Sequence, residues 1–170
     1  MSDESVSSLF KPRKVIQIAF VTADLDREIQ RYASNYGMAP WYVYEISSRT
    51  VEDLYKYDGR REFAYRAAMC HIRDFEWELV EPLDEKSIYA EHLRISGPSL
   101  HHMAFEVDDY AAALEALKRM GKTVLQSGNW SGKRFAHIDT VDDLGFVTEL
   151  FDYTAELREP EPLYVFPPHQ

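Results

Sequence analysis

The chain has 170 residues, 45% of them hydrophobic and 28% charged, with a net charge of −10 at pH 7. That length suits one domain with a sizeable core, and the mix is that of a folded globular protein rather than a disordered one. The acidic balance argues against nucleic acid or an anionic membrane as partner, no apolar run approaches the ~20 residues that span a bilayer, and the opening MSDESVSSLFKPRK has no hydrophobic signal core, so a soluble, cytoplasmic protein is expected.

Residues 1–13 are polar and read as a loose tail. Val15–Val21, rich in β-branched residues, predicts the first strand. Asp24 is placed to cap a helix whose apolar positions Leu25, Ile29, Tyr32, Ala33 and Tyr36 share one face and which ends at Gly37. Trp41–Ile46 predicts a second strand, and Thr50-Val51-Glu52-Asp53 resembles a capping box that predicts a short helix through Tyr57. After the turn at Asp58-Gly59, Phe63–Ile72 and Phe75–Val80 read as two strands joined near Arg73-Asp74. Asp84–Ile95 reads as a connecting helix that stops before Gly97-Pro98.

The second half begins with a strand over Leu100–Val107 and a helix carrying Tyr110, Leu114 and Leu117 as far as Gly121. Strands follow over Thr123–Gln126, Phe135–Asp139 and Phe146–Phe151, with Gly128–Gly132 as a loop. Pro160, Pro162, Pro167 and Pro168 exclude a regular helix from the tail, whose Leu163, Tyr164, Val165 and Phe166 are suited to docking on the domain or on a second subunit. Cys70 stands alone, which excludes an intrachain disulfide and fits a reducing compartment; packing is its expected role. The bases Arg49, Lys56, Arg60, Arg61 and Arg66 alternate with Glu52, Asp53, Asp58 and Glu62, as a solvated loop would.

Four polar side chains interrupt these apolar strands: Gln17 in VIQIAFV, Glu78 in FEWELVEP, His102 in HHMAFEV and Glu149 in FVTELFD. Burying a polar group without a partner costs on the order of 2 to 7 kcal/mol, and one divalent cation would satisfy all four. One imidazole, two carboxylates and an amide oxygen suit zinc, cobalt, nickel or manganese with positions left for water or substrate. The four also repeat. Gln17–Asp24 aligns with His102–Asp109 at an offset of 85, each copy continues into a helix stopped by a glycine, and each ends on a strand bearing a carboxylate. The first copy is longer, with its extra residues around Ser47–Glu62.

Strand alternation places Val15, Gln17, Ala19 and Val21 on one face, with Ile16, Ile18 and Phe20 on the other. Likewise His102 and Ala104 oppose Met103, Phe105 and Val107, and His101 is expected to point away from His102. A pseudo-twofold pairing of the halves brings the four polar groups together. Trp41, Tyr42, Tyr44, Tyr65, Trp77, Trp130 and Phe135 then supply aromatic side chains for the cavity walls, which favours a bulky or aromatic substrate.

At GPSLHHMAFEVDD, ELVEP and DDLGFVTELFD the chain resembles the vicinal oxygen chelate superfamily, which includes glyoxalase I, methylmalonyl-CoA epimerase, extradiol dioxygenases and bleomycin-resistance proteins. The resemblance implies an α+β fold of two tandem βαβββ modules forming a curved mixed sheet around a metal site: module one at 14–83, a linker helix at 84–98, module two at 99–152, and a tail at 153–170. It assigns the metal ligands to Gln17, Glu78, His102 and Glu149; glutamine at the first position departs from the commoner histidine. It also implies an isomerase or lyase that stabilises an enolate on the metal, with Glu149 as base and Glu45 as a second candidate. The substrate would be a small molecule, a thioester or an aromatic carbonyl compound, and the assembly a homodimer. A sequestering protein of bleomycin-resistance type and a ring-cleaving dioxygenase are the alternatives.

Overall fold

The computed structural model describes residues 10–168, and its ten strands form one mixed sheet. In chain order these are β1 (Lys14–Val21), β2 (Trp41–Ser47), β3 (Glu52–Lys56), β4 (Ala64–Ile72), β5 (Phe75–Pro82), β6 (Ser99–Glu106), β7 (Val124–Trp130), β8 (Lys133–Ile138), β9 (Val147–Tyr153) and β10 (Tyr164–Phe166). The helices are α1 (Leu25–Tyr36), α2 (Ile88–Ser96), α3 (Tyr110–Arg119) and the single turn α4 (Val141–Leu144).

Strand order across the sheet is β10-β2-β4-β5-β1-β6-β9-β8-β7-β3. Its centre is the antiparallel pair β1 and β6, and on each side the same pattern runs outward: β1 pairs β5 in parallel and β6 pairs β9 in parallel. Two βαβββ units in pseudo-twofold relation account for this order, which is the expected α+β architecture. The sheet is curled. Tyr44 on β2 and Trp130 on β7 lie far apart in strand order, yet their rings meet edge-on with centroids 5.2 Å apart.

Each half packs its helix on the outer face. Asp24 caps α1 by accepting from Arg27 N–H, and Leu25 and Ile29 bury against Trp41, Val43 and Leu79, with Cys70 in the same cluster. Asp109 caps α3 through Ala112 N–H, and Ala113 and Leu117 pack on Phe105, Ile138 and Leu150. Each such Leu or Ile contributes roughly 1.5–3 kcal/mol by leaving water. A third cluster, with Ile46, Tyr65, Met69, Val80, Tyr89 and Phe135, lines the inside of the curl.

Four local readings change. Thr50–Tyr57 is not a helix: Thr50 Oγ1 accepts from Ser47 N–H and closes a turn instead of capping, and Leu54 and Lys56 then alternate inward as β3. Lys56 is therefore fully buried rather than solvated, held 2.5 Å from Glu91 Oε1 on α2 and 3.1 Å from Asp58. The connecting helix starts at Ile88 with Ser87 as its cap, because the Asp84 carboxylate accepts from Ala64 and Lys86 N–H in a turn of its own. Between β7 and β8 the loop shrinks to Ser131 and Gly132, both at positive φ, the two-residue turn that suits a twisted hairpin.

Candidate metal and catalytic site

The four polar positions meet inside the curl. Gln17 comes from β1, Glu78 from β5, His102 from β6 and Glu149 from β9, all at most 5% exposed. They converge on one atom: His102 Nε2 lies 3.0 Å from Glu149 Oε2, 3.2 Å from Glu78 Oε2 and 3.4 Å from Gln17 Oε1. Donors bound at ~2.1 Å to one cation sit ~3.0–3.4 Å from their neighbours in octahedral or tetrahedral sets, so these separations fit a shared ion. Among the described residues Glu149 Oε2 is buried and has no polar partner besides that approach of His102 Nε2, a deficit that a cation would remedy. The adjoining cavity, about 30 Å³, holds little more than a water or an ion with part of a ligand.

Supporting contacts aim these groups. The Gln17 amide N–H donates to Glu76 Oε1, which leaves its oxygen turned toward His102. His101 and His102 share a hydrogen bond between their Nδ1 atoms at 2.9 Å. The expectation that His101 points to the opposite face fails for a definite reason: β6 bulges there, with Ala19 opposite His102 and Phe20 opposite Leu100, so His101 turns inward beside Tyr89. A matching irregularity at Ile16 moves Val15 into the cluster under α3 and leaves Ile16 beside Gln17.

His137 went unnoticed in the sequence. It pairs with Glu149 across β8 and β9, its Nε2 is 3.4 Å from Glu149 Oε1 and 3.2 Å from the Tyr89 hydroxyl, and with His102 and Glu149 it forms a set able to hold a metal. The signal was available in FAHID, where Phe135 and His137 share a face. Glu45 lies elsewhere. It shares a strand face with Trp41 and Val43, its carboxylate is 3.7 Å from Arg49, and it does not line the cavity. Of the expected aromatic walls, Tyr65, Trp130 and Phe135 line the cavity, whereas Trp41 and Trp77 belong to the cluster under α1.

Electrostatics divides the two carboxylates. Burial pushes the Glu78 carboxyl up, against the pull of His102. Burial works the same way on Glu149, but His137 and His102 outweigh it and hold that carboxyl below its usual range. Burial alone would depress His102, yet Glu149 and Glu78 raise it to about 9. His137 is depressed to about 4, chiefly by burial. The Tyr65 and Tyr89 phenols are pushed well above their ordinary value, again by burial, and stay protonated.

A curled sheet of two βαβββ units with an amide, an imidazole and two carboxylates at its centre is the architecture of the vicinal oxygen chelate fold. Residues 16–138 match the model of the Glyoxalase/Bleomycin resistance protein/Dioxygenase superfamily, and the chain belongs to that family. No curated protein matches the chain in sequence. Among solved structures it is similar to the methylmalonyl-CoA epimerase of Streptomyces coelicolor in complex with 2-nitronate-propionyl-CoA, with TM-score 0.66 and 24% identity over 85% of this chain and 100% of that one. The methylmalonyl-CoA epimerase of Mycobacterium tuberculosis gives TM-score 0.62 and 23% identity over 84% and 89% of the two chains. A hypothetical protein from Bacillus halodurans C-125 gives 0.64 and 17% over 86% and 98%. At these identities the likeness shows the fold.

Proposed function

We propose that the protein is a metal-dependent isomerase or lyase that moves a proton on a carbon next to a carbonyl. The observation that carries this is the convergence of three side-chain oxygens within 3.4 Å of His102 Nε2 in a buried cavity. Gln17, Glu78, His102 and Glu149 would hold a divalent ion such as zinc, cobalt, nickel or manganese. Bound there, the ion supplies polarisation of the substrate carbonyl, which acidifies the neighbouring C–H.

The chain's own groups do the rest. Glu149, whose carboxyl lies below its usual range and is ionised at neutral pH, accepts the proton and returns it. Tyr65 and Tyr89, protonated and lining the cavity, exclude water and present hydroxyl donors where charge develops on oxygen. Trp130, Phe135 and Phe151 wall the approach and suit an acyl or aryl substituent. Epimerase structures with methylmalonyl-CoA and 2-nitronate-propionyl-CoA support testing thioesters first, beside aromatic carbonyl compounds. Our reading extends to a cytoplasmic homodimer, whose mass light scattering would check.

The test is solvent deuterium exchange into acyl-CoA thioesters, glutathione hemithioacetals and aromatic ketones by chelated and reloaded protein. Exchange without oxygen uptake is expected, reduced roughly 100-fold or more in Glu149→Gln. Stoichiometric metal with no exchange into any of them defeats the proposal. Absence of both stoichiometric metal and turnover favours sequestration instead. A second reading has one observation in its favour: His102, His137 and Glu149 make a two-histidine, one-carboxylate set. It requires oxygen uptake with iron(II) and catechols that His137→Ala abolishes.

A further inference from the structure

His101 and His102 follow one another on β6, both are buried, and their Nδ1 atoms face each other at 2.9 Å. Two bare lone pairs at that distance repel and two N–H groups clash, so one proton lies between the rings and one histidine donates it. The far nitrogen of His102 decides which. His102 Nε2 looks at Glu149, Glu78 and Gln17, the groups that would share a cation with it. To bind that cation Nε2 must keep its lone pair, and the neutral imidazole then carries its proton on Nδ1. His101 Nδ1 is left as the acceptor, with the His101 proton on Nε2. The reversed arrangement, with the proton on His101 Nδ1, puts N–H on His102 Nε2 and closes it to metal.

We infer that His101 is a positioning residue that holds His102 in its metal-competent tautomer, an assignment that rests on the reading of a shared divalent ion above. Three features support it. His101 is the extra residue of the β6 bulge, between Leu100 opposite Phe20 and His102 opposite Ala19, and only such a bulge turns two consecutive side chains inward. Its ring is wedged between two rings of α2, Tyr89 at 4.9 Å and His92 at 5.0 Å, which fixes its plane. His92 is fixed in turn: the Ser99 hydroxyl donates to the Gly97 carbonyl, so its oxygen accepts from His92 Nε2–H at 2.9 Å. The choice of imidazole also has an electrostatic reason. A carboxylate could accept the same proton, but it would add a third negative charge to a buried centre that already holds Glu78 and Glu149, whereas neutral His101 orients the ligand without that cost.

The test joins zinc titration by calorimetry to nitrogen-15 NMR of the histidine rings, on wild type, His101→Leu and His101→Asn. Both variants remove the ring from between Tyr89 and His92, but asparagine keeps an acceptor oxygen near the place of Nδ1. His101→Leu should bind zinc roughly 10- to 100-fold more weakly than wild type, and His101→Asn should recover most of that loss. In the zinc-loaded wild type, the spectra should show the proton on His102 Nδ1 and on His101 Nε2. Equal losses in the two variants, undiminished affinity in His101→Leu, or a proton on His101 Nδ1 overturns the inference while the metal site stands. A wild type that takes up no stoichiometric zinc, cobalt, nickel or manganese defeats the metal reading itself, and the role of His101 with it. If His101→Leu does not fold, the wild-type spectra and His101→Asn decide.

Discussion

His102 illustrates how the site's chemistry is written in single residues. A histidine must be neutral to lend Nε2 to a cation, yet in the metal-free protein Glu149 and Glu78 raise it to about 9. Loading chelated protein at neutral pH should therefore expel a proton, and affinity should fall about tenfold per pH unit below about 9. Calorimetry in two buffers of different ionisation enthalpy reads this directly, and equal enthalpies would refute it. Glu76 offers a second check at this scale. Because it holds the Gln17 amide, Glu76→Gln should weaken metal binding by roughly 10- to 100-fold with little change in melting temperature. The four central positions were legible because each is a polar side chain in an apolar strand. His101 was not, because a bulge redirects it, and FAHID shows only that His137 shares a face with Phe135, while its pairing with Glu149 comes from the register.

Among the elements, the C-terminal segment ties the molecule together. Thr154 and Arg158 N–H donate to Gly132 and Ser131, and β10 then pairs with β2. The segment runs so close that a Cβ on Gly132 would sit 2.5 Å from the Leu157 backbone, and φ there is +88. Gly132→Ala should cost about 1–3 kcal/mol in denaturant unfolding. A change below 0.5 kcal/mol would show that the segment contributes little. Tyr164 on β10 donates to Asp26 on α1, and burial followed by that contact raises its phenol from 10.0 to about 12. Its stabilisation is thus complete below pH 10 and disappears as pH rises through about 12. Backbone hydrogen exchange at β10, compared with Tyr164→Phe, should show the difference only on the lower side. Most elements could be anticipated from periodicity and caps. β3 could not, because Thr50 and Ser47 settle their hydrogen bonds by contact, not by motif.

At the scale of the whole molecule, Lys56 fastens the first half's insertion to α2 between the halves. Removing its surface partner leaves an ammonium buried with Asp58 alone, whereas removing the lysine leaves Glu91 free to meet water. Glu91→Gln should therefore destabilise by about 2 kcal/mol or more, and by more than Lys56→Met, in equilibrium unfolding. The reverse order would mean the pair contributes chiefly through the lysine's packing. The duplication and its pseudo-twofold pairing were visible in the repeat of Gln17–Asp24 at His102–Asp109, while the crossing of the outermost strands was not, since no local pattern encodes it. That crossing reaches further than the site. β3 belongs to the first copy but completes the edge of the second, and β10 follows the second copy but completes the edge of the first. Neither copy is self-sufficient, so polypeptides severed at Gly97-Pro98 should behave as a complementing pair: each insoluble or unfolded alone, and restored to one cup when mixed.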